Sequence, residues 1–215
     1  MKQFPEIKIC GITNFSDAEK SIALGVDYLG FIQYPKSPRF IDSQRVSEIL
    51  DRLKGYDFKK ILVDVNPDPE KLDDYHQMGF DYYQLHFSYD LNESRIESWG
   101  QQVGKENLWL APRMPTGSEF PDHLIEFADH FLLDAFSEDS FGGTGNESDW
   151  QEFSNCQKKY PAKKWILAGG LGLGNAKEAY NILRPEIMDF NSAIELEPGQ
   201  KDHQKLDSLF TILRP

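Results

Sequence analysis

His130-Phe131-Leu132-Leu133-Asp134 is a short apolar run that delivers a carboxylate at its far end. A glycine loop follows, Gly142-Gly143-Thr144-Gly145, and Ser148 or Asp149 then offers an N-cap for a helix beginning near Trp150. Strand, acid, glycine loop and helix start form one unit. Such a unit can hold an anion on backbone N–H groups while presenting a carboxyl group to it. Standing alone it is equally a barrel strand ending in a solvated Asp, so its neighbours decide.

On both sides the same alternation repeats. Strand patterns occur at Glu6–Cys10, Asp27–Gln33, Lys60–Val65, Asp81–His86, Leu108–Ala111, His130–Asp134, Lys164–Ala168 and Met188–Ser192. Between them lie helix patterns: from Asn14 or Ser16 to Gly25, then Asp42–Lys54, and from Asn66-Pro67-Asp68-Pro69 to Met78. They continue at about Asn92–Val103, Asp122–Ala128, Asp149–Lys159, Asn175–Leu183 and Asp202–Leu213. Strict alternation with short apolar strands implies a parallel sheet covered by helices. Eight such units in 215 residues fit a single-domain α/β (β/α)8 TIM barrel. An open doubly wound sheet is the rival arrangement.

Composition narrows the function. Hydrophobic residues make up 40% of the chain and aromatic residues 13%, enough for a sizeable core. No stretch approaches the roughly 20 apolar residues needed to span a bilayer. The segment Met1–Glu6 lacks the apolar centre of a signal peptide, so a cytoplasmic protein is expected. The net charge of −12 argues against nucleic acid and anionic membranes as partners. It also means that an anionic substrate must be captured by local cations and backbone amides. Cys10 and Cys156 are too few for a disulfide framework, and no Cys/His spacing suggests zinc, so no metal is expected.

In a barrel all strand C-termini open at one mouth, where active sites are built. The polar residues at those ends are Cys10, Gln33 and the loop to Arg39, Asp64 or Asn66, His86, Arg113, Asp134, Gly169-Gly170 and Asn191-Ser192. Lys8 and Cys10, two apart on a strand, share a face. If that face is the interior, Lys8 needs a carboxylate partner, with Asp189 and Asp64 in reach.

The markers Lys8-Ile9-Cys10-Gly11, Gly30-Phe31, Tyr34–Arg39, Gln84-Leu85-His86, Leu132-Leu133-Asp134-Ala135, Gly142–Gly145, Asp149-Trp150, Leu167–Leu171 and Asn191-Ser192 with Glu195 run through the chain in one order. In that order and spacing the sequence resembles the phosphoribosylanthranilate isomerase family of tryptophan biosynthesis. The resemblance implies an aldose–ketose (Amadori-type) rearrangement of a phosphosugar substrate by a monomer or homodimer. It assigns Cys10 as general base and Asp134 as general acid. No cofactor is implied, because the substrate's own imine is the electron sink. Each catalytic group would need a shifted pKa: Asp134 raised by burial, and Cys10 lowered, with Lys8 as the candidate cause.

The resemblance further places the phosphate on the loops after strands seven and eight, at Gly169-Gly170 and Ser192-Ala193, with Gly142-Gly143 closing over the substrate. Arg39 is the candidate for the anthranilate carboxylate, its alternative being a surface salt bridge. His86 either hydrogen-bonds within the mouth or is a structural histidine. Three positions depart from the family pattern. Ala193 stands where Gly is usual and would crowd the phosphate, Phe87 replaces Gly and would bring a ring to the mouth, and Asn146 replaces Lys. They motivate a second reading, a diverged non-catalytic paralogue that binds an anthranilate-like or phosphosugar ligand. A third reading, the related sugar-phosphate isomerase of histidine biosynthesis, would resemble paired carboxylates at the ends of strands one and five. Cys10 and Ala111-Pro112 stand there instead.

Overall fold

A computed structural model of the protein describes residues 4–88, 90–115, 118–134 and 150–214. Eight parallel strands follow one another around a closed barrel: β1 (Glu6–Ile9), β2 (Tyr28–Ile32), β3 (Lys59–Val65), β4 (Tyr82–Ser88), β5 (Leu108–Arg113), β6 (His130–Leu133), β7 (Lys164–Leu167) and β8 (Ile187–Phe190). Pairing of β8 with β1, Lys8 opposite Asp189, closes the ring. That closure excludes the open sheet.

Helices α1 (Phe15–Ala23), α2 (Ser43–Arg52), α3 (Pro69–Gln77), α4 (Glu93–Val103), α5 (Trp150–Lys159), α6 (Ala176–Leu183) and α7 (His203–Leu213) cover the outside. Their starts are chemically marked. Asn14 accepts from the Asp17 N–H, Asp42 from Arg45 and Asp202 from Gln204 and Lys205, each satisfying donors that the first helical turn leaves free. The proposed caps Ser148 and Asp149 lie outside the described residues. Between β5 and β6 the expected helix is a single five-residue 3-10 turn, Asp122–Glu126. A feature not anticipated in the sequence follows β8: a 3-10 turn, Ser192–Ile194, and a small antiparallel hairpin, β9 (Glu195–Glu197) with β10 (Gln200–Lys201).

Alternation along the strands sorts two cores. Outward-facing residues such as Ile7, Leu29, Leu62, Leu85 and Leu110 pack with the helices, while Tyr28, Ile61, Val63, Trp109, Leu132, Ile166 and Ile187 fill the barrel. Phe87 belongs to the outer set. It is fully buried and meets Trp99 of α4 edge to face at 5.7 Å, because inward-facing His86 precedes it. The expectation that its ring crowds the mouth is therefore corrected.

Candidate active site

The C-terminal mouth holds a cavity lined by residues from seven of the eight strand ends or the loops after them, including Cys10, Arg39, Asp64, Gln84, His86, Asp134, Gly169, Gly170, Asp189 and Ser192. Thus the two candidate catalytic groups and most candidate binding groups come together. Gly142 and Gly143, like Asn146, lie outside the described residues. Arg113 ends β5 and does not line the cavity. Ala193 is exposed and also outside the lining. Its methyl lies only 2.7 Å from where a Cβ on Gly172 would sit, so it covers that glycine and does not intrude on the cavity.

Lys8 lies one layer below Cys10 inside the barrel. Its ammonium, with no exposure, donates to Asp189 Oδ2 at 2.6 Å, which settles its partner in favour of Asp189 over Asp64. Asp64 instead accepts from Tyr75 and Lys71 of α3, both at 2.9 Å. Burial works against the Lys8 charge, but the Asp189 carboxylate and then Cys10 outweigh it and hold the ammonium above its ordinary pKa. Asp189 Oδ1 is buried and has no hydrogen-bond partner among the described residues. Gly30 makes this crowding possible, since a Cβ there would sit 3.0 Å from the Cys10 sulfur and 3.2 Å from Lys8 Cε.

The Cys10 thiol behaves differently from expectation. It is buried, and that burial raises its pKa more than Lys8 lowers it, while Asp189 adds to the rise. The physical reason is that desolvation of the thiol outweighs the pull of the neighbouring ammonium, which Asp189 partly offsets. His86 is pulled down to about 4, first by burial and then by Lys8, so its imidazole is neutral at physiological pH. The Gln84 amide approaches its Nε2 at 2.8 Å. This contact tethers His86 within the mouth.

Around the rim, Gly169 and Gly170 both take positive φ, +82° and +63°, a conformation that suits glycine and turns the β7 loop sharply toward the cavity. Asn175 staples that loop, accepting from the Gly172 N–H and donating to the Gly170 carbonyl. Arg39 is no ordinary surface ion pair. It meets Glu195 at 2.7 Å with side-chain exposures of 13% and 4%, and Lys201, fully buried, meets the same carboxylate at 2.8 Å. Glu195 was among the sequence markers without a role, and Lys201 was missed altogether. A Lys six residues after a Glu in a Pro-Gly turn sequence was the one available signal.

Fold and site together define the class: a (β/α)8 barrel with a thiol and a carboxylate at its C-terminal mouth and the glycine-bearing loop after β7 beside them. The sequence pattern of the family described as N-(5'-phosphoribosyl)anthranilate (PRA) isomerase matches residues 7–211. An N-(5'-phosphoribosyl)anthranilate isomerase of Aquifex aeolicus is 36% identical, covering 94% of this chain and 94% of its own. The crystal structure of the Thermotoga maritima phosphoribosyl anthranilate isomerase superposes with a TM-score of 0.81 at 28% identity, covering 98% of both chains. Another similar structure, at TM-score 0.77 and 27% identity over 98% of both chains, is the isomerase in complex with reduced 1-(o-carboxyphenylamino)-1-deoxyribulose 5-phosphate. The chain belongs to the phosphoribosylanthranilate isomerase family.

Proposed function

We propose that this protein converts N-(5'-phosphoribosyl)anthranilate to its 1-deoxyribulose phosphate isomer. Asp134 is the acid that protonates the furanose oxygen, so that the ring opens to a Schiff base. Cys10 is the base that takes the C2 proton, with the electron pair moving into the imine to give an enolamine. Tautomerisation to the ketone completes a redox-neutral shift. The observation that carries this reading is the gathering of Cys10 and Asp134 at one cavity in a chain of this family. A thiol held above its ordinary pKa is a strong base once ionised, which suits abstraction from carbon.

The remaining groups divide the substrate between them. Arg39 takes the anthranilate carboxylate through charge-assisted hydrogen bonds. Gly169, Gly170 and Ser192 offer the phosphate backbone amides where barrels commonly bind it. His86, neutral and tethered, hydrogen-bonds substrate without competing for its protons. A phosphorylated substrate does not cross bilayers unaided, and no helix among the described residues is long and apolar enough to span one. The first point favours a cytoplasmic setting.

The test is to mix the protein with freshly made phosphoribosyl anthranilate and follow loss of anthranilate fluorescence. Steady turnover supports the proposal. A folded protein that binds the substrate but leaves it unconverted would favour the non-catalytic paralogue.

A further inference from the structure

A loop arginine can swing through many rotamers, so recognition by Arg39 depends on what fixes its plane. The fork is held along one edge: Nε donates to both Glu195 oxygens at 3.0 Å, and Nη2 donates to Oε2 at 2.7 Å. Nη1 has no partner among the described residues, on a side chain that lines the cavity. The guanidinium therefore has one edge occupied and one open.

Glu195 is itself anchored from behind. Lys201 donates to Oε1 at 2.8 Å and to Asn191 Oδ1 at 3.0 Å, and the Gly199 N–H reaches Oε1 at 3.2 Å. Burial works to raise the Glu195 carboxyl's pKa. The Arg39 hydrogen bonds and the Lys201 charge together outweigh it and keep the group ionised. Gly11, at φ +74°, clears the space: a Cβ there would meet Asn191 Oδ1 at 2.8 Å and Arg39 Cδ at 2.9 Å. Burying a Lys–Glu pair is costly, and apolar residues of similar volume would hold a hairpin at least as well. What the charges add is a rigid, ionised acceptor aimed at Arg39. The three groups, two positive and one negative, leave one surplus positive charge at the mouth of a protein whose net charge is −12.

We propose that Glu195, braced by Lys201 on the hairpin after β8, is a positioning residue for substrate recognition: it locks Arg39 so that the open guanidinium edge reads the substrate carboxylate. This rests on the reading of Arg39 given above. The hairpin is then part of the specificity apparatus, although neither Glu195 nor Lys201 touches substrate.

The experiment compares kcat/KM for phosphoribosyl anthranilate and for the same phosphoribosyl amine made from aniline, which lacks the carboxylate. Wild type should prefer the carboxylate-bearing substrate. Glu195→Gln should reduce that preference by roughly tenfold or more, the scale of a lost charge-assisted contact, through KM and with little change in kcat. Arg39→Ala should lose the preference too, and adding Glu195→Gln to it should have no further effect. If Glu195→Gln does not fold, the double variant Glu195→Gln with Lys201→Met removes both buried charges and carries the same expectation. A folded variant with wild-type preference would overturn the proposal, as would independent, additive losses at Arg39 and Glu195. A wild type that converts both substrates equally would end the role of Arg39 and this proposal with it. Absence of turnover with either substrate would instead count against the isomerase reading on which it stands.

Discussion

Four rings close the N-terminal end of the barrel interior, whereas charged groups line its C-terminal end. At the closed end Trp109 lies 5.3 Å from Tyr28 and 5.4 Å from Tyr82, and it stacks on His130 at 5.4 Å with planes 15° apart. At the open end the same barrel carries Lys8, Cys10 and Asp189, then Arg39, Glu195 and Lys201. β1 contributes to both ends, with Glu6 accepting from the Tyr28 hydroxyl at 2.6 Å below and Lys8 pairing with Asp189 above. The difference teaches a division of labour. Aromatic burial supplies stability at one end, and the other can then carry desolvated charges that contribute little net stability themselves.

That contrast can be broken from either side. Lys8→Met leaves Asp189 buried and unpaired, and should cost about 3–5 kcal/mol of unfolding free energy in urea melts as well as turnover. A stable variant with normal turnover would show that the pair does not organise the mouth. Trp109→Ala should cost about 3 kcal/mol or slightly more, yet the folded fraction should turn over substrate close to the wild-type rate, since the ring lies far down the interior. Loss of activity in fully folded Trp109→Ala would erase the division between the two ends.

A smaller effect follows from His130. Its pKa is pulled from 6.5 to about 4, first by burial and then by Lys164. The unfolded chain therefore takes up the proton first. Stability is full above pH 6.5, declines as pH falls toward 4 and is unaffected by this group below that. His86, also near 4, adds a decline of the same sign. His130 should contribute about 1–3 kcal/mol over this window, so His130→Phe should narrow the gap between urea midpoints at pH 7 and pH 4.5. An unchanged gap would mean that the ring is solvated. The smallest effect is spectroscopic. The thiolate absorbance of wild type minus Cys10→Ser should remain largely undeveloped at pH 9.0, the ordinary thiol value. A midpoint below that would show Lys8 prevailing over burial.

Much of this was legible in the sequence because barrel geometry is periodic. Alternating strands and helices, with Gly25 and Gly79 ending helices at φ +84° and +72°, mark the units directly. The same periodicity puts Lys8 and Cys10 on one face. What the sequence hid were facings and pairings across the chain. Phe87 was misplaced because one step along a strand reverses the side, and His86 already held the inner one. The Lys8 partner stayed open between Asp64 and Asp189 until the β1–β8 register chose. The Arg39–Glu195–Lys201 array joins residues up to 162 positions apart through a hairpin too short to show a pattern of its own. The pKa direction of Cys10 was misjudged because the sequence shows the neighbouring Lys8 but not how completely the closed barrel buries the thiol, and that burial prevails.

The most direct measurement is turnover of phosphoribosyl anthranilate by Cys10→Ala and Asp134→Asn beside wild type, with thermal melts on the same samples. The account predicts that each variant melts near wild type and loses roughly 10²- to 10⁴-fold in kcat, the range for removal of an acid or base. A variant of either residue that folds normally and retains near-wild-type kcat would contradict the assignment of the chemistry to this end of the barrel.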